Sequence, residues 1–225
     1  MVRPAAPTGS GSWGFFMSFL MTRVAVFIDG FNLYHALLKF RDNRVKWLDL
    51  RALSEALITP RSEAITAIYY FSAIAHWLPE PASRHEQYIA ALRARGIQIV
   101  LGHFKNKDRN CNSCGARWIG HEEKETDVNI ALFLLNSAYK DEYDKALLIT
   151  RDSDLVPAVA MVRNEFPAKN ITAVAPPLMG HSNDLIRVAT AKRKITPAQV
   201  WRSLLPAVVY DAFGNPVAYR PERYS

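Results

Sequence analysis

Ala146-Leu147-Leu148-Ile149-Thr150-Arg151-Asp152-Ser153-Asp154-Leu155-Val156-Pro157 decides the fold, because a short apolar run stops at two carboxylates one residue apart. Four apolar residues with no polar spacing suit a buried strand, not one face of an amphipathic helix. Asp152 or Ser153 then suits the cap of a helix running from Asp154 toward Arg163. The acids therefore stand at a strand's carboxyl end. Near the start, Val24-Ala25-Val26-Phe27-Ile28 runs into Asp29-Gly30-Phe31-Asn32 and a helical stretch from Leu33 to Phe40. Two strands punctuated alike suggest one shared site.

Outward from these two strands, the pattern alternates. Asp49 to Leu57 has helical spacing, Ala64 to Phe71 is β-branched and aromatic, Pro81 to Arg95 is helical and closed by Gly96, and Ile97 to Leu101 is a strand. A helix is expected from Glu122 to about Tyr139, a strand over Asn170 to Ala175 stopped by Pro176-Pro177, and a closing helix over Asn183 to Ala191. Strand and helix in turn specify an α/β fold, a parallel sheet with helices on both faces. Residues 102–121 interrupt the order with two cysteines, two histidines and several turn residues, which reads as a small hairpin-like insertion. The stretch from Pro197 onward carries weak signals, so 196–225 is set apart as a C-terminal tail.

The chain has 225 residues, 49% of them hydrophobic, enough to bury the core of one domain, taken here as residues 23–195. Its net charge of +7 tilts the choice of partner toward a polyanion. Residues 1–22, rich in Pro, Gly and Ser, have the composition of a disordered extension, and the apolar stretch Phe15 to Met21 is too short to span a bilayer. A membrane role is therefore not expected, and with only two cysteines and no secretory pattern the expected location is cytoplasmic. The oligomeric state is open, a homo-oligomer included.

In a doubly wound sheet, ligands gather beyond the carboxyl ends of the strands where strand order reverses. If the strands ending at Asp29 and Asp152 are neighbours, that crevice holds Asp29, Asp152 and Asp154, and Asp127 near the start of the long helix can be angled into it. Carboxylates so crowded repel one another unless a cation neutralises them, and hard oxygen donors suit Mg²⁺ or Mn²⁺. A metal there implies phosphodiester hydrolysis through an activated water. Asn32 would orient the water or a phosphate oxygen, and Thr150 and Ser153 would offer hydroxyls. The plainer alternative is that Asp29 and Asp152 cap the helices that follow them. A phosphatase of the aspartyl-nucleophile kind would want Asp-x-Asp after the first strand, and a toprim-like site a glutamate; Asp29-Gly30-Phe31 supplies neither.

Three blocks together, Val24 to Tyr34, Lys124-Glu125-Thr126-Asp127-Val128-Asn129-Ile130-Ala131, and Asp152-Ser153-Asp154-Leu155-Val156-Pro157-Ala158-Val159, resemble the NYN domain, a branch of the PIN-like nuclease superfamily. The resemblance covers about residues 23 to 190 and implies a Rossmann-like PIN fold and metal-dependent RNA cleavage. It matches Asp29, Asp127, Asp152 and Asp154 to the family's acidic positions and Asn32 to its polar one. Arg151 departs from the family's usual glycine, and Thr190 falls where an acid is often found. A non-catalytic RNA-binding or regulatory module is the alternative that these departures keep in play.

Cys111-Asn112-Ser113-Cys114-Gly115 has the form of a metal knuckle, and His103 and His121 flank it, so a structural zinc site of two cysteines and two histidines is expected beside the alternative of two reduced surface thiols. Lys105, Lys107, Arg109 and Arg117 form one basic cluster, and Arg187, Lys192, Arg193 and Lys194 another. Lys124, Arg151, Lys192 and Arg193 are taken, with Thr150 and Ser153, as candidate contacts to single-stranded or structured RNA. Phe104 and Trp118 could stack bases, although Trp118 reads more readily as a small core under the insertion.

Overall fold

In a computed structural model, which describes residues 21–225, the chain builds a six-stranded parallel sheet. The extension expected over 1–22 lies almost wholly outside the described residues. In chain order the elements begin with β1 (Thr22–Asp29), α1 (Gly30–Leu37), α2 (Leu50–Glu55), β2 (Glu63–Ser72), α3 (Pro79–Ala94) and β3 (Gln98–Leu101). The antiparallel pair β4 (His103–Asn110) and β5 (Arg117–Lys124) follows, then α4 (Thr126–Tyr139), β6 (Lys145–Ile149), α5 (Val156–Glu165) and β7 (Asn170–Ala175). The chain closes with α6 (Asn183–Val188), β8 (Ala191–Lys194), α7 (Pro197–Arg202), β9 (Val208–Tyr210) and β10 (Pro216–Tyr219).

Alternation along the central strands sorts side chains between two layers. Val24, Val26 and Ile28 of β1, with Leu147 and Ile149 of β6, join a core built with α1, α2 and α3. Ala25 and Phe27, with Ala146 and Leu148, join the opposite core under α4, α5 and α6. Both faces of these strands are covered, which is why they read as continuous apolar runs. Arg23 ties the start of β1 to Asp144 just ahead of β6, at 2.7 Å. Among the described residues no helix is long and apolar enough to cross a membrane.

The sheet runs β3-β2-β1-β6-β7-β8, so the chain winds outward one way from β1 and the other way from β6. Strand order reverses between those two strands, whose parallel register pairs Ile28 with Ile149. Their carboxyl ends therefore open side by side.

Several sequence expectations shift. The long helix begins at Thr126, not Glu122, because Glu122 to Lys124 complete the β5 ladder and Glu125 turns the chain with a left-handed φ of 80°. The helix expected over Asn183 to Ala191 ends at Val188; beyond it Ala191 to Lys194 pair with β7 as an edge strand, a pairing no local pattern announces. The tail past Pro197 is built in: Trp47, Ala91, Leu205, Val209 and Ala218 form a third small core, and the β9–β10 hairpin rests on α3. Trp118 is 53% exposed, so it does not form a core under the hairpin.

Phe27, fully buried, stacks on Tyr69 and meets Tyr143 edge-on. Phe27→Ala should cost about 3–5 kcal/mol in urea unfolding, whereas Phe213→Ala, at a site 91% exposed, should change it by less than about 0.5 kcal/mol.

Candidate active site between the two central strands

Asp29, buried at the end of β1, is both a helix cap and the centre of a hydrogen-bond network. Its Oδ1 accepts the backbone N–H of Asn32 at 2.9 Å, while its Oδ2 accepts Asn32 Nδ2 at 2.6 Å and the Thr150 hydroxyl at 2.8 Å. The network continues along the loop after β6. Asn32 Oδ1 accepts the backbone N–H of Arg151 at 3.3 Å, and Thr150 Oγ1 accepts that of Asp152 at 3.0 Å. Asp152 in turn caps the short 3-10 turn Ser153–Leu155, its Oδ1 accepting the N–H of Asp154 at 2.9 Å. The capping reading is thus true of both acids and does not compete with a site, because a carboxylate has about four lone-pair positions.

Asp127 arrives from a different element, on the first turn of α4. Its carboxyl is pushed up to about 6, first by burial and then by the charges of Asp152, Asp29, Glu123 and Asp154. Acids from three separate stretches therefore share one electrostatic neighbourhood. Burial likewise pushes Asp29 above the ordinary carboxylate range, with Asp152 adding to the rise, against the donors from Asn32 and Thr150.

Glu123 is a participant that sequence reasoning passed over. Its Oε1 accepts both the backbone N–H and the hydroxyl of Thr126, which anchors the start of α4 and hence Asp127. The signal was available in the spacing Glu123-x-x-Thr126, but the expectation of a helix from Glu122 hid it.

The remaining candidates divide. Ser153 is exposed on the same turn, and Arg151 stands beside the acids with its Nε buried and unpartnered among the described residues. Lys124 ends β5 and pairs with Glu122 at 3.4 Å. Lys192 and Arg193 lie on the edge strand β8, two strands beyond β6, and Arg193 is committed to the carbonyl of Leu57. Thr190 exchanges hydrogen bonds with Ile171 at the amino end of β7, the far end of the sheet from the acids, so its departure from the family pattern does not touch the site.

The four-ligand zinc site is not assembled within the chain. The hairpin pairs His103 with Lys124 at its base and carries the cysteines at its tip, so about 23 Å of ladder, from His103 to Asn110, lies between His103 and the cysteine turn. His121, opposite Asn106 partway along, stacks on Trp77 with ring centroids 3.7 Å apart. The knuckle turn itself is formed: backbone N–H groups of Cys114 and Ser113 lower the Cys111 thiol.

Among the described residues, no group of three His, Cys, Asp or Glu side chains stands in position to hold a metal ion. Mg²⁺ is usually held by one or two carboxylates with several waters, so the donor chemistry of the acidic crevice fits such an ion without a complete protein cage.

A model of the NYN domain matches residues 23–194. Among known proteins, the chain is similar to 6-hydroxy-3-succinoylpyridine 3-monooxygenase HspA of Pseudomonas putida, with 28% identity over 229 residues that cover 83% of this chain and 71% of the relative. It is also similar in fold to a solved protein of unknown function from Vibrio parahaemolyticus, with a TM-score of 0.54 and 20% identity, covering 82% of this chain and 97% of that one.

The raised Asp127 gives a stability prediction whose sign follows from its direction. The folded state binds this proton more tightly than the unfolded chain, so stability falls as pH rises from the ordinary value of 3.8 through about 6. In chelator, Asp127→Asn should be more stable than the wild type above pH 6, by on the order of 1 kcal/mol after solvent screening. The advantage should vanish below pH 4 in thermal unfolding scans.

Proposed function

Because the chain belongs to the NYN domain family, a family of nuclease-type domains, we propose that it is a divalent-metal-dependent ribonuclease acting at the crevice between β1 and β6. What supports this reading is that Asp127 feels the charges of Asp29, Asp152 and Asp154 at the edge where strand order reverses. Charge crowded in this way is costly to a protein unless a cation uses it.

From among Asp29, Asp127, Asp152 and Asp154, one or two carboxylates would hold Mg²⁺ or Mn²⁺, with water filling the other positions. Bound there, such an ion lowers the pKa of water and neutralises charge on a phosphate. The chain's own residues do the rest. Asn32 on the first turn of α1 and Thr150 in the loop after β6 lock the orientation of Asp29, so the crevice keeps its shape before substrate arrives. Asp127 can hold a proton on its carboxyl near pH 6 in the metal-free protein and release it on charging. Arg151 places a cation beside the acids for a phosphate oxygen, and the +7 charge of the chain offsets the repulsion that aspartates would exert on a polyanion.

A binding-only module for RNA is the second reading, favoured by the lack of a three-ligand cage among the described residues. The relative named as a monooxygenase of 6-hydroxy-3-succinoylpyridine suggests a different substrate class for this chain, a small aromatic acid.

Labelled RNA incubated with the protein should be cut with Mn²⁺ or Mg²⁺ and left intact in chelator. Asp152→Asn should lower the rate by at least about 100-fold and Thr150→Val by about 10–100-fold. RNA retained on a gel shift but uncut under every metal condition would leave the binding-only module; equal cutting by wild type and Asp152→Asn would remove the site.

A further inference from the structure

Next to the acidic crevice, a cleft of about 400 Å³ opens between α1, α3 and the C-terminal turn Glu222–Tyr224. Gly30 lines it, packed so closely on β2 that a Cβ would lie 2.6 Å from the Phe71 carbonyl oxygen and 2.8 Å from the Tyr70 ring. Its walls are aromatic, formed by Phe31, Tyr34, Tyr70, Tyr88, Phe104 and Tyr224. Its charged lining is Lys46, Arg84 and Arg223, and among the described residues no carboxylate lines it.

These cations are not an ordinary solvated face. Lys46 Nζ stands 5.6 Å from the centre of the Tyr34 ring and 5.9 Å from that of Tyr224. Its ammonium is held below the usual lysine range by burial and then by Arg223 and Arg84, so three positive groups crowd one another. The Arg84 side chain is only 20% exposed, and its ion-pair partner Glu80 is 3.6 Å away on the outer turn of α3 and 86% exposed. His85, also lining the cleft, is kept neutral by burial, its pKa lowered to about 4, and its Nε2 is buried without a hydrogen-bond partner among the described residues. Crowded cations, of which Lys46 and Arg84 are half-buried, favour an anion, flat aromatic walls favour a ring, and a neutral imidazole can serve either a donor or an acceptor on it.

We propose that this cleft binds a planar aromatic ring carrying an anionic group, with the ring among Phe31, Tyr34 and Tyr224 and the anion on Lys46, Arg84 and Arg223. Two sources share that chemistry, a nucleotide and a small aromatic carboxylate. The site asks nothing of turnover at the aspartates, so it stands or falls separately from the ribonuclease reading.

Calorimetric titration of the full chain in chelator tests it, with adenosine 5′-monophosphate and pyridine-3-carboxylate as ring-plus-anion ligands and adenosine and inorganic phosphate as single-group controls. At least one ring-plus-anion ligand should bind tenfold or more tighter than both controls. Lys46→Met and Arg223→Ala should each weaken it at least fivefold, with circular dichroism and Tm unchanged. Preference for the monophosphate identifies a nucleotide site, and preference for the carboxylate a small-acid site. If neither ligand exceeds the controls, or both variants bind like the wild type, the proposal is overturned.

Discussion

A buried carboxylate shared by two neighbouring strands is the constraint on which the site depends. Asp29 closes β1, yet one of its donors, Thr150, comes from the loop after β6, and Asn32 reaches across to the Arg151 backbone of that same loop. Burial penalises the charge, and the hydrogen bonds from Asn32 and Thr150 offset part of that penalty. The result is a rigid bridge at the place where strand order reverses. Asp152 and Asp154 are set by the continuation of that bridge, since Asp152 takes its backbone position from the Thr150 hydroxyl and itself caps the next turn.

Electrostatic tension at this edge is answered by the architecture around it. Asp127 is brought in by a helix whose first turn is anchored by Glu123, another acid, so the anchoring adds to the repulsion it must withstand. Basic groups lie off the edge, on the hairpin, on β8 and in the aromatic cleft, and not among the acids, with Arg151 as the exception. A sheet that gathers negative charge at its centre and positive charge around it can attract a polyanion while reserving the middle for a cation. The C-terminal segment takes part in this arrangement, because the β9–β10 hairpin packs on α3 and delivers Tyr224 and Arg223 to the cleft wall.

Much of this was legible in local pattern. Val24–Ile28 and Ala146–Ile149 read as buried strands because both their faces are covered, and an apolar run ending in Asp marks where such a strand leaves the core. Asp29, Asn32, Thr150 and Asp152 were legible for the same reason, as they sit within three residues of those strand ends. Where local pattern misled, a non-local partner was the cause. Glu122–Lys124 look helical until β4 pairs with them, Ala191 looks like the end of a helix until β7 recruits it with Lys192–Lys194 as a strand, and Thr190, where the family often has an acid, is bonded to Ile171 at the other end of the sheet. The histidines chosen as zinc ligands flank the cysteines along the chain, but a straight ladder turns nearness in sequence into separation in space.

By itself the sequence determined the α/β class, the two central strands and the acids at their ends, since hydrophobic period and helix-capping chemistry act over a few residues. The tertiary structure alone decided that β1 and β6 are neighbours, that Glu123 stands beside Asp127, and that the last residues wall an aromatic cleft. Each of these rests on contacts between segments far apart along the chain, whose free energy comes from burying apolar surface between layers and is absent from any short stretch taken alone.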